Sequence, residues 1–339
     1  MSSNNKKIII TGGAGFIGGR LVDFFLKKNF SVMNIDKLTY AANISAIKKF
    51  NNYSKYFFVK TDINNSKLIK KVFNDFKPHA IFHLAAESHV DRSIKNSLAF
   101  IKTNIVGTYS LLNNSLEYFK KNKKKNFVFI HVSTDEVYGD YNIDKKPFDE
   151  NTSYNPSSPY SASKASSDHL VKSWGKTYDL PIIVTNCSNN YGNYQFPEKL
   201  IPRIIISAIN KKKIPIYGDG SNERDWLYIN DHINALFKIY KKGKVNNTYN
   251  IGTGRSISNL KIANKICNIL SKINYDNSGF DYSKLITFVK DRPGHDTKYL
   301  VNYSKIRKEL NWVPKVSLDK GLALTVNWYL KNLNWWKNI

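Results

Sequence analysis

A tyrosine and a lysine that together could oxidise an alcohol stand four residues apart, as Tyr160 and Lys164, in a segment with a helical pattern. This spacing places both side chains on one face of a helix. A tyrosine whose pKa is about 10 is a weak base at neutral pH, and we expect a neighbouring ammonium together with a nicotinamide cation to lower that pKa. Tyr160 could then take the hydroxyl proton of an alcohol as hydride leaves its carbon.

Two adjacent acids follow a threonine at the end of an apolar run, in the order Thr134, Asp135, Glu136. Thr134 is expected to hydrogen-bond the same alcohol. The acids supply what elimination of water needs, namely a base for a C–H proton and an acid for a leaving hydroxyl, if their pKa values differ. Alone, Tyr-x-x-x-Lys often arises by chance, and two acids after a strand more often begin a helix or loop. The prediction therefore depends on both groups occurring together.

A glycine pattern, Gly12, Gly15 and Gly18, directly follows an apolar strand and opens an amphipathic segment. Glycines there allow a pyrophosphate to approach backbone N–H groups at a helix N-terminus. Asp36 stands at the end of the next strand, where a carboxylate accepts hydrogen bonds from an adenosine ribose and repels a 2′-phosphate. NAD is therefore favoured over NADP, although the cation of Lys37 leaves NADP open.

Short β-branched or aromatic runs alternate with longer amphipathic ones in the first half of the chain, which predicts βαβ units. The predicted strands are Lys7–Thr11, Ser31–Asp36, Tyr56–Lys60, Ala80–Ala85, Phe127–Ser133 and Ile182–Asn186. The predicted helices are Gly15–Lys28, Lys67–Phe76, Ile94–Asn122 and Tyr160–Tyr178, then Leu200–Asn210, Ile233–Lys241, Leu260–Lys272 and Leu318–Leu333. The fold class is thus α/β, with a doubly wound, parallel Rossmann sheet and a smaller mixed α/β C-terminal domain.

We place the dinucleotide-binding domain at residues 1–188 and a substrate domain at 189–339, with segments of about 224–250 returning to the first. Asp62 and Ile63 follow the third strand, and Leu84 to Ala86 follow the fourth, where such a sheet presents its carboxyl ends to a dinucleotide. Taken alone, Leu84 to Ala86 would more often be ordinary core.

The net charge of +26 in 339 residues first suggests a nucleic-acid or anionic-membrane partner. Only seven of the 52 basic residues are arginines, the residue that suits phosphates and base edges best. A lysine-rich solvated surface is the simpler interpretation. We expect a cytoplasmic protein with neither a nucleic-acid nor a membrane partner, since no signal or spanning segment is evident.

Neither cysteines nor histidines indicate a metal. Cys187 and Cys267 are too few for a disulfide framework or a zinc site, and we expect both to be buried thiols. Six of the seven histidines fall on separate predicted elements without ligand-like spacing: His83, His89, His131, His169, His232 and His295. We therefore predict no metal.

Nine motifs spread over nearly the whole chain resemble those of the extended short-chain dehydrogenase/reductases and, within them, the dTDP-glucose 4,6-dehydratases. The motifs occupy residues 11–18, 34–40, 83–93, 133–139, 158–164, 186–192, 196–200, 224–228 and 291–295. Sugar-nucleotide epimerases share the Gly, Tyr and Lys motifs but generally lack Thr134-Asp135-Glu136, so that run discriminates best. The runner-up is a UDP-sugar 4,6-dehydratase or another UDP-sugar enzyme of this class, such as an epimerase or a decarboxylase.

The resemblance implies a three-stage cycle. Tyr160, helped by Thr134 and Lys164, deprotonates the glucose 4-hydroxyl while bound NAD accepts the C4 hydride. Glu136 then removes the C5 proton as Asp135 protonates the C6 hydroxyl, and water leaves. Hydride returns to C6 while Glu136 reprotonates C5, which gives a 4-keto-6-deoxy sugar.

The resemblance also implies binding residues and a homodimer that packs through the Tyr160 helix and the helix near Ile94–Asn122. The cofactor residues are Gly12, Gly15, Phe16, Ile17, Gly18, Asp36, Lys37, Leu38, Thr39, Asp62, Ile63, Leu84, Ala85, Ala86, Glu87, Ser88, Thr103, Tyr160, Lys164 and Asn190. The nucleotide-sugar residues are Ser88, Thr134, Asn189, Lys199, Leu200, Pro215, Ile216, Tyr217, Arg224, Asn259, Asp291, Arg292, Pro293, Gly294 and His295. An anionic diphosphate independently favours Arg224 and Arg292.

Two stretches depart from the pattern of this family. Asn193 and Gln195 stand where it usually has Pro and often His, in a loop expected over the nucleotide. The run Gly252-Thr253-Gly254-Arg255 replaces the commoner Gly-Gly-His-Asn. The preference for base or sugar is therefore less well defined by the sequence than the chemistry is.

Overall fold

A seven-stranded, all-parallel sheet forms the centre of the protein. The computed structural model describes residues 6–122, 126–141, 146–273 and 279–337. Its sheet has the order β10-β6-β5-β4-β1-β2-β3. The strands are β1 Lys7–Thr11, β2 Ser31–Asp36, β3 Tyr56–Lys60, β4 Ala80–His83, β5 Val128–Thr134, β6 Ile182–Cys187 and β10 Asn247–Ile251. From β1 the strand order runs to β2 and β3 on one side and to β4, β5 and β6 on the other. At such a switch point a crevice opens between β1 and β4 at the carboxyl ends of the strands.

Helices cover both faces of the sheet because its strands are apolar on both sides. On one face α1 packs against α9, and on the other α3, α6 and α7 lie side by side. The helices are α1 Phe16–Lys27, α2 Ile44–Phe50, α3 Ser66–Phe76, α4 Val90–Lys95, α5 Ser97–Phe100, α6 Gly107–Asn122, α7 Pro159–Tyr178, α8 Leu200–Ile209, α9 Ile229–Lys242, α10 Asn259–Ile273, α11 Ser304–Leu310, α12 Leu318–Lys331 and α13 Leu333–Lys337. Within these ranges, no helix combines the length and apolar character needed to cross a bilayer.

The doubly wound sheet confirms the predicted fold class, and the first three strands have their predicted bounds. The strand predicted over Ala80–Ala85 is too long and ends at His83. Beyond His83, the backbone N–H groups of Leu84 and Ala85 both donate to Thr11 Oγ1, each at 3.2 Å. The segment after β4 is thereby drawn against the glycine turn.

The prediction of one helix over Ile94–Asn122 is wrong. The chain forms α4 and α5, then a π-helical turn over Ile101–Val106, and only then α6. Asn96 interrupts the helix with a non-helical backbone (φ −146°, ψ 75°). The wider turn directs Asn104 to the backbone of Glu87 and to Ser163 Oγ, at 2.8–3.0 Å. The predicted helix Leu318–Leu333 is likewise divided into α12 and α13.

Two small sheets lie at the carboxyl edge of the main one. The first has the order β11-β9-β7 and the second pairs β12 with β8. Their strands are β7 Asn189–Tyr191, β8 Ile214–Tyr217, β9 Glu223–Tyr228, β11 Ser256–Ser258 and β12 Ile286–Val289. Because β10 joins the main sheet beside β6 and α9 packs on α1, residues after 188 contribute to both parts. The division of the chain at residue 188 stays a prediction.

Helix α12 buttresses β7, the strand that carries Asn189 and Asn190. A Cβ on Gly321 would lie 2.0 Å from Tyr191 Oη, and the Tyr191 ring is fully buried. The close contact between α12 and β7 therefore depends on the missing side chain.

We expect Gly321→Ala to lower the free energy of unfolding by about 1–3 kcal/mol, because overfilling a packed core displaces Tyr191. Urea denaturation measures the change. Leu324→Ala, at an exposed position of the same helix, is the control and should be nearly neutral. Equal stability of Gly321→Ala and the wild type would contradict the packing described.

Candidate active site

A cleft of about 310 Å³ opens at the carboxyl ends of β1 and β4, between which the strand order reverses. Its walls come from the turns after β1, β2, β3, β4 and β5, from α7, and from the segment after β6. The predicted residues that line it are Gly12, Gly15, Phe16, Ile17, Gly18, Asp36, Lys37, Thr39, Asp62, Ile63, Leu84, Ala85, Ala86, Glu87, Ser88, Thr103, Thr134, Glu136, Tyr160, Lys164, Asn189, Asn190 and Lys199. The residues predicted for cofactor and chemistry thus lie largely around one crevice.

The glycine turn fits a pyrophosphate. Gly12 adopts φ +74°, and a Cβ on Gly18 would lie 2.1 Å from the Gly12 carbonyl oxygen. Gly15 begins α1 without any side-chain cap, so no side chain occupies the N–H groups of the first turn. Those groups and the helix dipole are available to an anion.

Asp36 and Lys37 occupy the adenosine end of the cleft. The Asp36 carboxylate accepts backbone N–H groups from Ala14 (3.0 Å) and Leu38 (2.8 Å) and lines the cleft at the end of β2. The ammonium of Lys37 lies 3.3 Å from Glu87 Oε1 and donates to Thr103 Oγ1 at 3.2 Å. Because Lys37 is paired with Glu87, the carboxylate of Asp36 is the charge left to meet a ribose at this end of the cleft. A carboxylate there suits the ribose hydroxyls of NAD and repels the 2′-phosphate of NADP.

Helix α7 presents Tyr160 and Lys164 to the cleft together. Ser158 and Ser161 form a reciprocal capping box and Pro159 occupies the first turn, which fixes where the helix begins. Lys164 Nζ donates to the carbonyl of Val132 at 2.9 Å, so the helix is tied to β5 beneath the site. Burial lowers the pKa of Lys164, and the nearby Asp168 raises it.

The protein surroundings alone do not lower the pKa of Tyr160. Burial raises this pKa well above its ordinary value, the carboxylate of Glu136 raises it further, and the hydrogen bond with Thr134 lowers it. A lower pKa must therefore come from a positive charge brought into the cleft. A nicotinamide ring carries such a charge.

Asp135 and Glu136 follow β5 on one short 3₁₀ turn, Asp135–Tyr138, whose N-cap is Thr134. Asp135 is 1% exposed and does not line the cleft, whereas Glu136 does. Burial raises the pKa of Asp135 well above its ordinary value, and the neighbouring charges of Glu136 and Asp225 raise it further. Asp135 is thus the carboxyl that holds its proton.

Three cations act on Glu136. Burial raises its pKa, while Arg292, Arg224 and Lys199 lower it. The two acids therefore differ as elimination requires, with Glu136 the more readily ionised.

Arg224 is 5% exposed and is held by backbone carbonyls. Its guanidinium donates to the backbone carbonyl oxygens of Glu223 (2.7 Å) and Asp296 (2.9 Å). The guanidinium carbon lies 4.4 Å from the centre of the Tyr299 ring. Arg292 pairs with Asp91 at 3.1 Å, and Tyr217 Oη donates to the other oxygen of Asp91 at 3.1 Å. Asp91 thus connects α4 to β8 and to the loop after β12.

The remaining predicted residues lie outside the cleft lining, among them Asp135. The others are Leu38, Leu200, Pro215, Ile216, Tyr217, Arg224, Asn259, Asp291, Arg292, Pro293, Gly294 and His295. Leu38 serves through its backbone N–H to Asp36. Most of the others belong to the second half of the chain, and two of them, Arg224 and Arg292, lower the pKa of Glu136.

Sequence reasoning missed several lining residues. They are Ile35, Ala41, Ala42, Thr61, Val132, Ser133, Cys187, Ser188, Gln195, Phe196 and Glu198. Most are neighbours of predicted residues, so adjacency to a motif was the available signal. Cys187 and Cys267 are free and buried, as expected, yet Cys187 also lines the cleft.

The two departures from the family pattern have structural roles. Gln195 Nε2 donates to the Asn190 carbonyl at 2.8 Å, so the loop closes over the cleft through an amide. Backbone N–H groups of Thr253 and Gly254 bind the Asp225 carboxylate at 2.9–3.1 Å. The second departure therefore acts on a carboxylate that raises the pKa of Asp135. Among the described residues, no three His, Cys, Asp or Glu side chains form a metal-binding group.

Comparisons with known proteins agree with this geometry. A family model described as GDP-mannose 4,6 dehydratase matches residues 9–325. The dTDP-glucose 4,6-dehydratase of Escherichia coli is 49% identical, over 98% of this chain and 96% of that protein. The crystal structure of dTDP-glucose 4,6-dehydratase from Bacillus anthracis in complex with NAD has a TM-score of 0.87 and 40% identity, covering 98% and 99% of the two chains. A second, from Streptomyces venezuelae with NAD and dTDP bound, has a TM-score of 0.88 and 36% identity, with the same coverage.

We expect Gly18→Ala to weaken NAD binding at least tenfold, because the added Cβ would strike the Gly12 carbonyl and distort the pyrophosphate turn. Isothermal calorimetry on protein stripped of cofactor gives the affinity. Gly19→Ala is the matched control, since its Cβ would meet nothing nearer than the Gly13 oxygen at 3.5 Å. Retained affinity in Gly18→Ala would place the pyrophosphate elsewhere.

Proposed function

Because the chain belongs to the nucleotide-sugar 4,6-dehydratase family of the short-chain dehydrogenase/reductases, we propose that it converts dTDP-glucose to dTDP-4-keto-6-deoxyglucose and water. The cofactor is NAD, which the glycine turn and Asp36 would hold and which, when bound, would accept a hydride from the substrate and later return it. The observation that carries the proposal is the acid pair Asp135 and Glu136, placed beside Tyr160 with different protonation tendencies.

In the first step, Tyr160 and Thr134 hold the glucose 4-hydroxyl, and Tyr160 takes its proton as the C4 hydride leaves. The carbonyl of Val132 orients the ammonium of Lys164 beneath this position. Positive charge in the cleft lowers the pKa of Tyr160 from the raised value that burial imposes, so binding of the charged cofactor and ionisation of the base are coupled.

In the second step, the 4-ketone acidifies C5 and Glu136 removes the C5 proton. Asp135, still protonated, donates to the C6 hydroxyl, which requires the 3₁₀ turn to move this carboxyl from behind the cleft lining to the substrate. The C6–O bond breaks, and water leaves as C5 and C6 become doubly bonded. In the third step, hydride is added at C6 and Glu136 returns a proton to C5. Glu136 acts first as base and then as acid, a change that its place in the cleft lining and its neighbouring cations support.

The diphosphate would bind on the side of the second half of the chain, where Arg292, Arg224 and Lys199 surround Glu136. Arg292 is available if the substrate displaces it from Asp91. A diphosphate presents the bidentate oxygens that arginine prefers. We assign the predicted nucleotide-sugar residues of this region to substrate on that basis.

We further propose a cytoplasmic homodimer that forms through α4 to α6. This segment exposes large apolar side chains: Ile94, Leu98, Ile101, Val106 and Tyr109 are each more than 40% exposed. They lie beside α7, the helix that carries Tyr160. A contiguous apolar face of this kind is typical of a subunit interface.

Leu98→Glu is expected to give a monomer, because a carboxylate would lose its hydration at the interface. Analytical ultracentrifugation measures the mass. Leu324→Glu, at an exposed apolar position of α12, is the control and should leave the dimer intact. A wild-type monomer, or a dimeric Leu98→Glu, would contradict this assignment.

Glu136→Gln and Tyr160→Phe separate the steps. We expect Glu136→Gln to oxidise dTDP-glucose without eliminating water, and Tyr160→Phe to slow oxidation at least 100-fold, because each loses one proton acceptor. Absorbance of reduced cofactor follows the first step. NMR in deuterated water should show that the wild-type product is a 4-keto-6-deoxy sugar with deuterium at C5.

UDP-glucose in the same assay tests the runner-up. A wild-type product that still bears the C6 hydroxyl would contradict the dehydratase proposal. Faster turnover of UDP-glucose than of dTDP-glucose would contradict the assignment of the thymine nucleotide as substrate.

A further inference from the structure

Two fully buried ionisable residues beneath the site take no part in the steps above. His131 lies on β5 and Asp168 lies one helical turn beyond Lys164 on α7, and both are at most 1% exposed. His131 Nε2 lies 3.5 Å from Lys164 Nζ and 3.1 Å from Asp168 Oδ1. The nitrogen Nε2 of the imidazole thus faces both an ammonium and a carboxylate. Charged groups are costly to bury without such partners.

Asp168 is held from its other side as well. Its Oδ2 accepts from Tyr154 Oη at 3.0 Å and from Asn186 Nδ2 at 3.1 Å. Lys172 Nζ in turn donates to Tyr154 Oη at 3.1 Å. Burial alone would raise the pKa of Asp168, yet His131 and the charge of Lys164 keep it below its ordinary value. Asp168 is therefore an ionised carboxylate in the protein core.

His131 is neutral in this arrangement. Burial and then the charge of Lys164 lower its pKa to about 4. Its Nδ1 has no partner among the described residues, whereas Nε2 faces Asp168. Asp168 Oδ1 has no hydrogen-bond partner among the described residues and lies 3.1 Å from Nε2, so a proton on Nε2 is the tautomer that suits the carboxylate. The charge that balances Lys164 is thus carried by Asp168, and both groups approach the same nitrogen, Nε2, of a neutral ring.

We propose that His131 and Asp168 are positioning residues for Lys164, keeping its ammonium charged and aligned beneath Tyr160 through the oxidation step. The inference rests on the proposed function and deepens it. The ionisable groups around Lys164 and His131 come from four elements: Asp168 on α7, His131 on β5, His83 on β4 and Cys187 on β6. Asp168 is the one carboxylate among these groups, so we assign the stabilisation of the Lys164 charge to Asp168.

Asp168→Asn removes the charge while retaining size. Its amide oxygen can still accept from Tyr154 Oη and Asn186 Nδ2, as Asp168 Oδ2 does. Because Asp168 raises the pKa of Lys164, its loss lowers that pKa, and Lys164 discharges at lower pH. The alkaline limb of the pH profile for single-turnover oxidation of dTDP-glucose should move to lower pH by about one unit. The KM should change less than twofold, because Asp168 lies outside the cleft lining.

Asp231→Asn is the matched control. Asp231 is another buried carboxylate, and it accepts the backbone N–H groups of Lys315 and Val316 at 2.8–2.9 Å. Its loss should lower stability and leave the alkaline limb in place. An unmoved limb in Asp168→Asn, or an equal shift in Asp231→Asn, would overturn the inference.

¹⁵N NMR of histidine-labelled protein provides a test that needs no turnover. His131 should remain neutral and protonated on Nε2 from about pH 5 to 9, and Lys164→Met should raise its pKa toward the ordinary value near 6.5. Titration of wild-type His131 near pH 6.5 would overturn the inference. Failure of the wild type to oxidise dTDP-glucose would instead count against the proposed function, because the NMR result does not depend on catalysis.

Discussion

The cost of burying ionisable groups at the carboxyl end of β5 governs this site. Burial is the largest influence on the pKa values of Asp135, Glu136, Tyr160 and Lys164, and each is shifted toward its neutral form. Because burial shifts all four pKa values toward the neutral form, the differences among the four protonation states depend on the few charged groups nearby. Arg292, Arg224 and Lys199 act on Glu136, Asp225 acts on Asp135, and Asp168 acts on Lys164.

The sheet explains why these charges come from distant parts of the sequence. Parallel strands present their carboxyl ends at one edge, and the reversal between β1 and β4 opens a crevice there. β10 and α9 return to the main sheet and its covering helices, which anchors the second half of the chain next to that crevice. The loop after β12 thereby brings Arg292 to Asp91 and within the influence of Glu136. Nucleotide recognition and acid–base chemistry share the same cations.

Local sequence patterns predicted the strands Lys7–Thr11, Ser31–Asp36 and Tyr56–Lys60, because apolar runs between turns require little tertiary information. They failed at Ile94–Asn122, where contacts of Asn104 with Glu87 and Ser163 accompany a π-helical turn. Motifs located most of the cleft, since each motif ends a strand or begins a helix there. They could not show that Asp135 is enclosed or that Arg224 donates to carbonyls, because burial and partner geometry arise from packing between remote segments.

The division of roles between Asp135 and Glu136 is the central claim, and infrared spectroscopy tests it most directly. At about pH 8 in deuterated water, the wild type should show a protonated-carboxyl stretch that is absent from Asp135→Asn and retained in Glu136→Gln. Loss of that band in Glu136→Gln with retention in Asp135→Asn would place the proton on the wrong acid and contradict the account.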